Sequence, residues 1–178
     1  MENPAEVDVR CSVTVFRKNR ILLVHRTRDG ADDWVLPGGT PHPGESMAAC
    51  AERETLKETG LRVVPGGLAF VLEALGPYDT RRIVDLVFLA AVTGQHEPQA
   101  REGGLEAVFV PLGDLPAPNL RPPVAEHLRG LHSRGPARTA AYLGNLWWPD
   151  RREPANRAEP EAAGENRVAS PWLDLSDL

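Results

Sequence analysis

An α/β fold, with a mixed β-sheet carrying helices on both faces, is the class this sequence predicts. Three observations carry that expectation. Strand-like apolar runs and helix-like stretches follow one another in the order strands, helix, strands, helix. Residues 46–59 contain neither proline nor glycine and end on Gly60, as a helix with a natural stop does. Of the 178 residues, 42% are hydrophobic and 25% charged, which suffices for one ordinary core with a further segment to spare.

In chain order, Val9 to Phe16 and Ile21 to His25 are β-rich runs. The polar Arg17-Lys18-Asn19-Arg20 between them reads as the turn of an N-terminal hairpin. Asp29-Gly30 marks the next turn, and Trp34-Val35-Leu36 is a short extended piece. That piece enters Pro37-Gly38-Gly39, where glycine permits backbone angles closed to other residues. After the helix over 46–59, Arg62 to Val64 and Leu68 to Leu75 read as strand segments bent at Pro65-Gly66-Gly67. Ile83 to Val92 is a nearly continuous apolar strand beyond a Gly76-Pro77 turn. Leu105 to Leu112 is a further strand, Pro122 to His132 a helix, and Ala137 to Leu146 one more helix. The chain then divides into a short lead (1–6), a folded domain (7–133), a C-terminal helix (134–148) and a mobile tail (149–178). The tail's Pro, Glu, Arg, Ala and Asn bury too little surface to offset the entropy of ordering. The apolar points of the region from about Arg134, Trp147-Trp148 and Trp172 with Leu173, Leu175 and Leu178, are expected to pack on the protein's own surface.

The formal net charge of -5 argues against binding a nucleic-acid polymer, which needs a basic surface to displace counterions. A small phosphorylated ligand remains compatible. Cys11 and Cys50 fall in a predicted strand and the predicted helix, so both read as core thiols. The acidic N-terminus offers no apolar stretch to serve as a signal peptide. No run approaches the roughly 18 apolar residues of a membrane span, so a soluble cytoplasmic protein without membrane attachment is expected.

The chemistry concentrates between Gly39 and Leu61. On a helix, residues three or four apart share a face, so Glu54 and Glu58 project together. Carboxylates converging beside a backbone carbonyl form a hard-oxygen site suited to Mg²⁺ or Mn²⁺. Gly39, Glu45, Arg53, Glu54, Glu58, Gly60 and Leu61 also stand at the spacings of the Nudix box, and this chain resembles the Nudix hydrolases on that ground. Thr55 and Lys57 depart from the pattern, occupying an apolar position and the position of a paired glutamate.

The resemblance implies an α/β/α sandwich and metal-dependent cleavage of a nucleoside diphosphate linked to another moiety, X. It also implies a homodimer. In its terms the Gly39 carbonyl and Glu58 are inner-sphere metal ligands, and Glu54 is a further ligand or orients the attacking water. Arg53 and Glu45 are an ion pair that fixes loop against helix. A further loop acid is implied; Glu102 is the candidate, with Glu97 and Glu106 as alternatives. For substrate, Arg81 and Arg82 suit phosphate oxygens, and Trp34 either stacks on a base or anchors the glycine loop. Pro77 and Tyr78 resemble specificity residues of two different subgroups and do not choose between them.

Lys57 is the main departure, because a protonated lysine offers donors and no lone pair to a cation. Three readings follow from it. The chain hydrolyses with fewer or weaker metals, or Lys57 itself neutralises substrate phosphate, or the fold binds a nucleotide or a protein partner in a regulatory role without efficient catalysis.

Overall fold

The computed structural model describes residues 6–27, 32–75, 82–94, 96–100, 103–135 and 139–146. Outside them lie the turns expected at Asp29-Gly30 and Gly76-Pro77, together with Tyr78, Arg81, Glu102, Trp147, Trp148, Trp172 and the tail over 149–178.

Ten strands and two α-helices form among the described residues. They are β1 (Val7–Thr14), β2 (Phe16–Arg17), β3 (Arg20–Arg26), β4 (Asp33–Val35), β5 (Gly38–Gly39), α1 (Met47–Thr59), β6 (Val63–Leu75), β7 (Arg82–Val92), β8 (Leu105–Pro111), β9 (Leu120–Arg121), α2 (Ala125–Arg134) and β10 (Ala141–Asn145). The strands make two mixed sheets. One has the order β10-β6-β7-β1-β5, in which β1 runs parallel to β7 and antiparallel to β5. In the other, β3 pairs with β8 along one edge and with β2 and β4 along the opposite edge, while β9 continues from β4.

Alternation along the strands builds two cores. Cys11, Val13 and Val15 of β1 and its exit meet Leu22, Phe109 and the Cys50 and Ala51 face of α1, which therefore lies against both sheets. Ile21 and Leu23 point the other way and pack with Phe70, Leu72 and Val87 under α2, which contributes Ala125 and Leu128. Both cysteines are free and buried, and burial pushes the Cys11 thiol up to about 12, so it stays a protonated core thiol.

Three expectations change. The N-terminal hairpin shrinks to Phe16-Arg17 against Arg20-Ile21, because β1 leaves β3 to pair with β7 in the other sheet. β6 runs unbroken through Pro65-Gly66-Gly67, absorbing them as register shifts against β7. Finally, the stretch read as a last helix holds a strand, β10, parallel to β6. The open edge of β6 has backbone groups to satisfy, and pairing there outweighs the helix preference of Ala140-Ala141-Tyr142-Leu143. Gly144, at φ 71°, lies in the register shift between the Tyr142 and Asn145 pairs.

Candidate functional site

Helix α1 is placed by its two ends. Ser46 Oγ accepts the Ala49 N–H at 3.2 Å, and Gly60, in the left-handed region at φ 71°, donates its N–H to Leu56 O. Thr55, at a position where an apolar residue is expected, is fully buried and satisfies its hydroxyl on Ala51 O at 2.6 Å. That hydrogen bond lets a polar residue stand in the core.

The glycine loop is held by contact. Gly38 has φ 157°, and a Cβ there would lie 2.3 Å from Cys11 O, so only glycine lets β5 pair with β1. At Gly39 an added Cβ would come 2.7 Å from the Glu54 carboxyl carbon. Glu58 Oε2 accepts the Gly38 N–H at 3.0 Å. Glu54 and Glu58 of α1 thus reach the same two-residue loop. Cys50 Sγ donates to Gly39 O at 3.5 Å, a contact the sequence reading did not anticipate.

Arg53 grips the loop from the helix. Its Nε and Nη2 donate to the two oxygens of Glu45 at 2.7 and 2.8 Å, and Nη2 also reaches Thr40 O at 3.2 Å. The Arg53 bond and, after it, the His42 N–H hold the Glu45 carboxyl down at about 2, while Glu45 raises the Arg53 guanidinium above its ordinary value. Glu54 is 8% exposed and takes cations on both oxygens: Arg53 Nη1 on Oε1, and Lys57 Nζ on Oε2 at 3.4 Å. Lys57 therefore faces Glu54 from one turn along, with 52% of its side chain still in solvent.

The remaining expected residues disperse. Arg82 pairs with Glu73 on the neighbouring strand. Trp34 stacks on His25 with ring centroids 4.5 Å apart and packs, partly buried, against the core under α2. Glu97 accepts from Arg17, and Glu106 lies beside His25. Among the described residues no three of His, Cys, Asp or Glu converge as a metal cluster. The donors present still suit Mg²⁺, which takes one or two carboxylates and fills its shell with water and substrate phosphate. Gly39, with no side chain to separate its carbonyl from Glu54, is consistent with that.

Sequence reasoning missed a second polar group. Asp85, Ser12 and Arg10 meet beside a cavity of about 110 Å³ that Arg121 also lines. Their signal is a lone acid inside the apolar run from Ile83 to Val92 and alternating polar positions in β1.

A glycine loop clamped to an acid-bearing helix between two mixed sheets defines the class, and the chain belongs to the NUDIX domain family, whose model matches residues 7–131. Among individual proteins, it is 34% identical over 128 residues to the 8-oxo-dGDP phosphatase NUDT18 of Homo sapiens, covering 66% of this chain and 38% of that relative. It thus spans well under half of that curated relative's length. The crystal structure of a MutT NUDIX hydrolase from Burkholderia pseudomallei superposes with a TM-score of 0.57 at 30% identity, over 62% of this chain and 88% of that one. A NUDIX hydrolase from Nitrosomonas europaea shares the fold with a TM-score of 0.64 at 21% identity, over 74% of this chain and 91% of that one.

Proposed function

We propose that the chain is a metal-dependent pyrophosphohydrolase that cleaves a nucleoside diphosphate linked to a further moiety X. The observation that carries this reading is the convergence of Glu54 and Glu58 on Gly38-Gly39 inside a family-matched box. Glu54, Glu58 and the Gly39 carbonyl would hold Mg²⁺ or Mn²⁺, with Glu102 as the further loop acid. When bound, such an ion neutralises phosphate charge and supports in-line attack at phosphorus.

The chain's own residues set the geometry for that attack. The Glu45–Arg53 pair fixes the loop against α1, so that the Gly39 carbonyl and Glu54 keep one relative position. Glu54, held between Arg53 and Lys57, orients water through its carboxylate. Water adds to phosphorus, the anhydride P–O bond breaks, and the water's protons leave to a carboxylate or to solvent. Arg81 and Arg82 are proposed for substrate phosphate, Arg82 after exchanging Glu73 for the ligand; Trp34 is proposed to anchor the loop. The relative's printed substrate makes 8-oxo-dGDP one of the first compounds to try.

A second reading, a nucleotide-binding or regulatory protein without efficient turnover, is favoured by one observation: Lys57 Nζ sits on Glu54 where the box carries another acid. Titrating Mg²⁺ and Mn²⁺ against product release separates the two. The hydrolase reading expects saturable metal-dependent turnover that Glu58→Gln lowers by at least ~100-fold, about the loss of 2.7 kcal/mol of transition-state stabilisation. Nucleotide binding with no turnover at any metal concentration would establish the second reading.

A further inference from the structure

A groove of about 140 Å³ lies between α2 and the paired strands β6 and β10. Ala69 and Phe70 of β6, Leu131 of α2 and Leu143 of β10 supply its apolar lining. Ala69, Leu131 and Leu143 pack on the core under α2 and yet are only partly buried, so apolar surface of that core continues out into the groove. Its polar side chains are His127 and Arg134, and among the described residues no acid lines it. Gly130 makes room for the charge. An added Cβ there would lie 2.4 Å from Arg134 Nη2, so the guanidinium folds back along α2 over a residue without a side chain.

The chain itself carries a segment of matching chemistry. Residues 171–178, outside the described residues, read Pro-Trp-Leu-Asp-Leu-Ser-Asp-Leu: four large apolar side chains and two acids, with no Lys or Arg. Between Pro149 and Pro171 the one large aliphatic is Val168, so this apolar and acidic cluster stands apart from the rest of the tail. Trp147-Trp148 is nearer in sequence but badly placed. Leu143 lines the groove whereas Leu146 lines the 110 Å³ cavity, so the chain leaves the groove before it reaches the tryptophan pair. Trp172 follows Leu146 by 26 residues, which extended reach roughly 85 Å, ample for a return across a domain whose radius of gyration is about 14 Å.

We propose that this groove is the docking site of the chain's own segment 171–178, with Trp172 against Leu131 and Leu143 and Asp174 toward Arg134. An indole offers a large apolar area at low conformational cost, and the acids meet the one charged side chain that lines the groove. The tether supplies the rest. A flexible linker holds the segment at an effective concentration on the order of 1 mM, so a free affinity near ~100 µM would fill the groove about nine-tenths of the time.

The test uses the full chain and a synthetic peptide of residues 168–178. Trp172→Ala changes no residue of the folded domain and vacates the groove. By calorimetry the peptide is expected to bind Trp172→Ala at least ~5-fold more tightly than it binds wild type, where the tethered segment competes. Titrated into ¹⁵N-labelled Trp172→Ala, it is expected to shift the amides of Phe70, Leu131 and Leu143 and to leave those of Leu22 and Ala51 in place. Adding Arg134→Glu, at an exposed side chain, is expected to weaken the peptide at least ~3-fold at low salt. No binding to Trp172→Ala, amide shifts away from the groove, or an affinity unmoved by Arg134→Glu would overturn the proposal. Equal binding to wild type and Trp172→Ala would overturn it too, leaving the groove to another protein. A wild-type affinity that approaches the variant's as the protein is diluted would assign the groove to the tail of a second copy, and would overturn docking within one chain.

Discussion

Two cations on α1, Arg53 and Lys57, each hold one oxygen of the Glu54 carboxylate. The Arg53 bond is braced by Glu45, whereas Lys57 reaches Glu54 with half its side chain in solvent and gives up little on leaving. Lys57→Glu removes a cation and adds an acid at the position where the box has one. Its Mn²⁺ affinity, read by calorimetry, is expected to rise at least ~10-fold, since one unit pair at ~4 Å and an effective dielectric near 20 is worth roughly 4 kcal/mol. Unchanged affinity would mean that Lys57 does not face the metal ligands. Glu45 gives a pH signature of its own. Its folded pKa of about 2 lies below the ordinary 4.5, so the unfolded chain binds that proton more tightly. Its stabilisation is complete above pH 4.5 and is lost as pH falls toward about 2. Urea midpoints measured across that window should fall in wild type and stay flatter in Glu45→Gln; parallel curves would show that the ion pair contributes nothing to acid stability.

At the level of elements, the helix and its glycine loop are the parts the sequence describes best, because their signals are local. Ser46 before a run without proline or glycine, and Gly60 after it, are read from neighbours in the chain. Ser46→Ala should cost about 1 kcal/mol in denaturant unfolding, the usual worth of an N-cap bond, and a loss near zero would show that α1 is held by packing alone. Gly38→Ala should cost more than that, because its Cβ would meet the Cys11 carbonyl oxygen rather than a side chain that can move. The Glu45–Arg53 contact is likewise legible, since helix and loop are joined by a short segment. Non-local pairing is not. The departure of β1 from β3, the strand at Ala141–Asn145 and the meeting of Asp85 with Arg10 all depend on cross-strand register, which no run of neighbouring residues records. An acid in a strand ordinarily reads as a residue facing solvent, and only its partner across the sheet shows that Asp85 faces a cavity.

Across the whole molecule, the two mixed sheets give α1 a platform on one side and leave the Asp85 cavity beside the loop on the other. A single segment, Val35 to Gly39, connects the cavity wall to the glycine loop. No helix among the described residues is long and apolar enough to cross a membrane. Leu22→Ala, at the contact between β3 and the α1 core, is expected to lower unfolding free energy by about 2–5 kcal/mol, and an effect below ~1 kcal/mol would contradict the packing described. The central claim, that the Gly39–Glu54–Glu58 arrangement hydrolyses despite Lys57, is tested most directly by phosphate-product release. Wild type and Lys57→Glu would be compared over nucleoside diphosphates and triphosphates, 8-oxo-dGDP, ADP-ribose, nucleotide sugars and dinucleoside polyphosphates, each with Mg²⁺ and with Mn²⁺. Turnover of at least one compound by wild type, faster in Lys57→Glu, is the predicted result; turnover by Lys57→Glu alone would contradict it and show that this chain has exchanged hydrolysis for binding.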